Sequence, residues 1–283
     1  MGLARLGARR LGRLKIATDA IAGGDFTYRL PSHGKDEVDD VARNVNRMAE
    51  SLARLDTARR RWLAEISHEL RTPLSAIRGE LDALEDGLRP LDPAAVASLN
   101  EEAKRLSGLI EDLHFLAMTD LSGQPCRFTP ADAVAICAKT IARFGSRAKA
   151  AGIALTFDTM GDPDPCVRWD VARIEQLLAN VLTNALRYTD APGQVRVMLE
   201  AVGEHLQATV EDSAPGVPPE HLEALFAPLY RLDAARSRVS GGSGLGLAVS
   251  EAIARAHGGT IVAAPSSLGG LAIRVALPRM AVA

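Results

Sequence analysis

Apolar side chains at Val38, Val41, Val45, Met48, Leu52 and Leu55 recur at alternating spacings of three and four, a heptad seam that one helix cannot bury by itself. The seam continues through Trp62, Ile66, Leu70, Leu74, Ile77, Leu81 and Leu84, interrupted by Arg59 and crossed by Pro73, a potential bend. Asp92-Pro93, a cap followed by a first-turn proline, predicts the start of another helix. Its own seam is Val96, Leu99, Ala103, Leu106, Ile110, Leu113 and Ala117. Residues 56–120 therefore read as a helical hairpin with more apolar stripe than two helices need to cover each other, and a dimeric four-helix bundle is the economical solution.

Upstream of the seam, Arg5, Arg9, Arg10, Arg13 and Lys15 have no acid among them, which suits either the cytoplasmic side of a membrane anchor or a solvated helix face. That helix is expected to stop at Ala22-Gly23-Gly24-Asp25, followed by a connector holding Pro31 and Gly34. No window holds the ~18 uninterrupted apolar residues of a spanning helix. Three cysteines without C-x-x-C spacing argue against a disulfide framework or thiolate metal site, and a reducing cytoplasm fits. A net charge of −2 gives no overall pull toward nucleic acid.

Past Ser122 to Pro125 the texture becomes mixed α/β. The patterns predict a helix over 131–151, a strand at 153–157, a helix over 171–188, strands at 195–199 and 206–210, a helix over 245–257, and a closing hairpin around 261 and 273–277. Runs of antiparallel strand interleaved with three helices suggest an α/β sandwich.

Four segments carry chemistry. In Ile66-Ser-His-Glu-Leu-Arg-Thr-Pro-Leu74, His68 lies about 200° around the helix from both Ile66 and Leu70 and so faces solvent. Thr72 is one turn further on, and Glu69 can take the imidazole proton. An imidazole in water is largely neutral at pH 7 and nucleophilic, which suits a phosphoacceptor, although most single surface histidines do nothing. In Asn180-Val-Leu-Thr-Asn-Ala-Leu-Arg-Tyr188, Asn180, Asn184 and Arg187 share one helix face while Leu177, Leu178, Val181, Leu182 and Leu186 bury the rest. An amide oxygen suits Mg²⁺ and an arginine suits phosphate, buried helix-capping amides being the plainer explanation. Asp212-Ser-Ala-Pro-Gly216 ends a strand, where the carboxylate could accept from an exocyclic amine or simply shape a turn. Gly241-Gly-Ser-Gly-Leu-Gly-Leu247 opens a helix whose amides could face phosphate. It is neither a P-loop nor a dinucleotide fingerprint. The long basic connection from Asp212 to Gly244, with Phe226, Tyr230, Arg231, Arg236 and Arg238, reads as a lid or as a solvated loop.

On these residues the chain resembles the HAMP-containing sensor histidine kinases of two-component systems. His-Glu-Leu-Arg-Thr-Pro-Leu is similar to their H-box, the Asn180 segment to their N-box, and Asp212 to Gly216 with the later glycines to the boxes of a Bergerat ATP-binding domain. The expected architecture is multidomain α and α+β: a HAMP coiled coil over 1–57, a histidine phosphotransfer hairpin over 58–121, and a Bergerat α/β sandwich over 125–280. Gly24-Asp25-Phe26 and Asp36-Glu37 carry the HAMP likeness, although its first helix lacks the usual proline. Arg78-Gly-Glu-Leu81 and Asp112-Leu-His114 look like envelope-stress sensors within the family.

The resemblance implies that His68 is phosphorylated from Mg·ATP, with Glu69 as general base and Thr72 placing water for reverse dephosphorylation. It implies that Asn184 holds Mg²⁺, that Asp212 recognises adenine, and that Asn180, Arg187, Tyr188, Gly216, Arg231, Gly242, Gly244, Leu245 and Gly246 complete the ATP site. Ala214 replaces the first glycine of the usual D-x-G-x-G. The implied partners are a second copy of the chain and the receiver domain of a response regulator, a winged-helix transcription factor, with no direct nucleic-acid contact. Such kinases carry two spanning helices and a periplasmic sensor upstream, so a truncated product or a late start site is expected, placed at the inner face of the membrane if an anchor precedes it. Two rivals stay open: a degenerate ATP-binding scaffold without phosphotransfer, and an ATPase of the Hsp90 or MutL kind.

Overall fold

Helix boundaries follow local chemistry closely. In the computed structural model, which describes residues 2–31, 36–122, 126–161, 165–213, 215–232 and 243–279, α1 (Gly2–Ala22) ends at the Gly23-Gly24 pair, where Gly24 has φ +90°. One helix, α2 (Glu37–Glu85), then carries the whole first seam and runs through a buried Pro73. Asp92 Oδ1 accepts the Ala95 N–H at 2.7 Å and caps α3 (Pro93–Ser122), with Pro93 in the first turn as expected. Among the described residues no helix is long and apolar enough to cross a membrane.

Packing divides the chain into two units, residues 1–68 and 69–283. In the first, Ala17, Leu30 and Ala42 form a small core with Leu14, Tyr28 and Val45. The connector is fastened by Asn46, whose Oδ1 accepts the Leu30 N–H and whose Nδ2 donates to the Leu30 carbonyl, both at 2.8 Å. Val41, Met48 and Leu55 of the seam are exposed.

In the second unit a five-stranded mixed sheet has the order β2 (Ile153–Met160), β4 (Gly193–Val202), β5 (His205–Asp212), β7 (Leu271–Pro278), β6 (Thr260–Pro265). The expectation of antiparallel strands needs one correction: β2 pairs with β4 in parallel, because α6 (Val171–Tyr188) separates them and returns the chain to the same end. The helix predicted over 131–151 is also corrected. Residues 129–132 are β1, paired antiparallel with β3 (Cys166–Trp169) as a separate two-stranded sheet. Asp132 Oδ1 then caps α4 (Ala133–Ala142) at the Ala135 N–H, and after Arg143-Phe144 a short α5 (Gly145–Ala150) follows. Trp169 anchors the small sheet, its indole N–H donating to the Pro278 carbonyl at 2.8 Å.

Helix α6 buries Ile174, Leu177, Leu178, Val181, Leu182, Ala185 and Leu186, a stripe of i, i+3 and i+4 spacing. That stripe packs with Val195, Val197, Leu199, Leu206, Val210, Ile273 and Val275 of the strands and with α7 (Gly246–Ala256). Half-buried Asp170 accepts at its carboxylate oxygens from the amides of Arg127 and Arg173, while its own N–H donates to His257 Nε2 at 3.1 Å. Within the single chain, α3 buries few apolar side chains. Ala95, Leu109 and Phe115 are the buried apolar residues among its described side chains, Val96 and Ile110 being more than half exposed. Phe115 and Leu116 belong to the same core as the sheet, so the C-terminal half of α3 is a structural part of this second unit.

Candidate active site

His68 and Thr72 are exposed on α2, as the helical phase requires. Glu69 is half-buried, and its Oε1 lies 3.6 Å from Nη1 of Arg231. Thus the carboxylate beside the phosphoacceptor candidate already faces a cation.

On the other side of that arginine is a cavity of about 700 Å³, a volume suited to a nucleotide. Asn180, Asn184, Arg187 and Tyr188 line it from α6, Asp212 and Gly216 from the end of β5 and its following turn, and Arg231, Gly244 and Gly246 from the segments flanking the lid. Leu245 does not line the cavity; fully buried, it sits at the start of α7 as packing. Gly242 and most of the expected lid, with Arg236 and Arg238, lie outside the described residues.

Several geometric details shape the site. Asp212 is buried, and its Oδ1 accepts the Leu271 N–H at 2.8 Å, which orients the carboxylate at the strand terminus. Asn180 Nδ2 donates to the Gly246 carbonyl at 3.1 Å and ties α6 to the start of α7. A Cβ on Gly246 would stand 3.5 Å from that amide, in ordinary contact. Asn184 lines the cavity, and its side chain makes no hydrogen bond among the described residues. Gly244 has φ +71°, and a Cβ there would come within 2.9 Å of Leu229 Cα. Leu229, itself at φ +64°, donates its N–H to the Gly244 carbonyl at 3.0 Å. Residues 229 and 244, on either side of the undescribed segment, are thereby joined, and a bulky residue at positive φ is rare enough to mark a constrained spot.

Arg187 is held below the usual guanidinium value chiefly by burial, against an opposing pull from Tyr188, with the charges of Arg147, Arg231 and Arg105 adding smaller downward effects. No carboxylate pairs with it among the described residues. Half-buried cations converging on one cavity favour an anion there.

Sequence reasoning missed one wall of this cavity. Lys104, Arg105, Gly108, Leu109 and Asp112 of α3 line it as well. Asp112 Oδ1 accepts from Gln176 Nε2 of α6 at 2.9 Å, and the Arg173 guanidinium lies 4.4 Å over the Phe115 ring, a contact of about 1 kcal/mol. Burial, with Glu111 nearby, pushes the Asp112 carboxyl up to about 6 against the opposing effects of Gln176 and Arg173. The positions 104, 105, 108, 109 and 112 do form one helix face, but so do many others, and only the contact with α6 singles this face out. A donor set of carboxylates for a dedicated metal cage is absent, since the described residues hold no group of three or more His, Cys, Asp or Glu side chains placed for one. A single amide at Asn184 fits a hard cation that keeps phosphate oxygens and waters as its other ligands.

Comparison with known proteins agrees with this architecture in order along the chain. The HAMP domain family matches residues 2–54, the His Kinase A (phospho-acceptor) domain family residues 58–121, and the histidine kinase-, DNA gyrase B-, and HSP90-like ATPase family residues 169–281. The signal transduction histidine-protein kinase BaeS of Escherichia coli K12 is 41% identical over 267 residues, covering 94% of this chain and 56% of the relative. The chain therefore spans a little over half the length of that relative. Among solved structures, the histidine kinase AdeS of Acinetobacter baumannii superposes with a TM-score of 0.61 at 29% identity, covering 75% of this chain and 98% of AdeS. Full-length ShkA in complex with AMPPNP gives 0.59 at 26% identity, covering 78% of this chain and 46% of ShkA. With HAMP, phosphoacceptor and ATPase domains in that order, each on the elements described above, the chain belongs to the HAMP-containing sensor histidine kinases.

Proposed function

We propose that this chain transfers the γ-phosphoryl group of ATP to His68 and then passes it to an aspartate on the receiver domain of a response regulator. A ring nitrogen of His68 attacks the γ-phosphorus, the bond to the β–γ bridging oxygen breaks, ADP leaves, and Glu69 takes the imidazole proton. The aspartate carboxylate of the regulator then displaces histidine from the phosphoramidate. In the reverse, phosphatase direction, Thr72 positions the water. Such transfers depend on positioning and charge neutralisation more than on covalent chemistry by the protein.

The observation that carries this reading is the cavity of about 700 Å³ with a buried, oriented Asp212 at its strand end and Arg187 and Arg231 lining it. Asp212 accepts from the adenine amine, with Gly216 beside it, and the arginines meet phosphate. Tyr188 borders the nucleotide, Asn180 and Gly246 hold the helix ends, and Leu245 supports them from behind. Gly242 and Gly244 belong to the phosphate-side loop. The cation that accompanies ATP, Mg²⁺, neutralises phosphate charge, and Asn184 is the residue that would hold it. The AMPPNP bound by ShkA supports a nucleotide in this fold.

Exposed Leu74, Leu81, Val96 and Ile110 on the hairpin support a homodimer completing a four-helix bundle. The basic start of α1 fits a position at the inner face of a membrane, and the regulator is read as a winged-helix transcription factor, with no direct nucleic-acid contact by the kinase.

Incubation with γ-labelled ATP and Mg²⁺, comparing wild type with His68→Gln, tests the reading. Acid-labile, base-stable label on wild type alone is expected. ATP binding without label would leave a nucleotide-binding scaffold, and steady ATP turnover without label would leave an ATPase.

A further inference from the structure

We propose that Arg105, with Lys104 beside it, belongs to the triphosphate site, so that the second hairpin helix closes the nucleotide cavity and ATP holds it there more tightly than ADP. The proposal rests on the nucleotide reading above and extends it to a residue outside the ATPase domain.

Three observations carry it. Arg105 and Lys104 line the cavity that Asn184, Arg187 and Asp212 line from the opposite elements. One turn further on, Gly108 also lines it, and a Cβ added there would meet nothing within 4 Å, so this stretch of α3 borders open volume rather than packed side chains. The position of α3 is set independently of any ligand: Phe115 is 1% exposed in the core, Leu109 is buried, and Asp112 is bonded to Gln176. Arg105 lies ten residues, about 15 Å of helix, from that Phe115 anchor.

Charge supplies the direction. Arg105, Arg187 and Arg231 converge on one space, and the first and third weaken the protonated form of the second. Arg231 is answered by Glu69 at 3.6 Å and Arg105 by Glu102 at 3.4 Å. Arg187 has no carboxylate among the described residues. A group carrying several negative charges is attracted by all three at once, and the γ-phosphate adds charge that ADP lacks.

Calorimetric titration of the full chain with AMPPNP, ADP and AMP, each with Mg²⁺, tests this in wild type, Arg105→Gln, Arg105→Lys and Asp212→Asn. Arg105 is 40% exposed, so its variants are expected to fold. Arg105→Gln should lose about tenfold in AMPPNP affinity, less than threefold for ADP and nothing for AMP, while Arg105→Lys keeps most of the AMPPNP affinity. Hydrogen exchange over residues 100–112 should slow with AMPPNP in wild type and not in Arg105→Gln. An unchanged AMPPNP-to-ADP ratio in Arg105→Gln, with binding lost in Asp212→Asn, would overturn the proposal and leave the nucleotide reading intact. Absence of binding by wild type would remove both.

Discussion

Glu69 and Arg231 face one another at 3.6 Å, each about a quarter exposed, although they lie 162 positions apart in the chain. The candidate base for phosphorylation is thus paired with a candidate phosphate ligand, beyond hydrogen-bond length but within ion-pair reach. Replacing Glu69 with Gln is expected to lower the initial autophosphorylation rate by roughly 10²-fold or more while AMPPNP affinity stays within about twofold. A single-turnover assay alongside calorimetry checks this, and a rate within threefold of wild type would remove Glu69 from the base role.

Asp212 has a structural task at Leu271 and, in the proposed reading, a recognition task at adenine. Asp212→Asn retains an oxygen to accept the Leu271 N–H but halves the acceptor capacity that adenine would use. The expected result is a melting temperature near wild type without ligand and loss of most of the upward shift that saturating ATP produces. A full ligand-induced shift in the variant would place adenine elsewhere.

The same substitution has opposite signs at two glycines. Gly244→Ala puts a Cβ at φ +71° and 2.9 Å from Leu229 Cα, a conformational cost of about 1–2 kcal/mol before the clash is counted. Gly79→Ala, in the interior of α2 with open space around its Cβ, should gain about 0.5–1 kcal/mol. Urea denaturation should show a lower midpoint for the first and a higher one for the second, with nucleotide affinity falling only in the first.

Asp112 ties stability to pH. Its carboxyl is raised to about 6 in the fold, chiefly by burial, so between roughly pH 4 and 6 the folded state holds a proton that the unfolded chain has released. Stability from this group is therefore full below about pH 4 and falls as pH rises through 6. Asp112→Asn keeps an oxygen for Gln176 and should be more stable than wild type at pH 8 by on the order of 1 kcal/mol, the difference vanishing near pH 4. Thermal melts at the two pH values test the sign, and a variant less stable at pH 8 would contradict it.

What could be read along the chain was what depends on neighbours a few residues away. The cap at Asp92 with Pro93, the stop at Gly23-Gly24, the buried stripe of α6 and the solvent-facing His68 all follow from periodicity and capping within one or two turns. The motif residues follow from a string held in order, and most of them line one cavity. Tertiary structure alone decided the rest. The Asn46 clamp on Leu30, the pairing of 129–132 with 166–169 and the parallel register of β2 with β4 join residues 16 to about 40 positions apart. The Asp112 to Gln176 bond and the place of Arg105 on the cavity wall opposite Asn184 and Asp212 span still more chain. Short periodicities leave such partners undetermined, because every helix face of similar composition is an equal candidate until the core around Phe115 selects one.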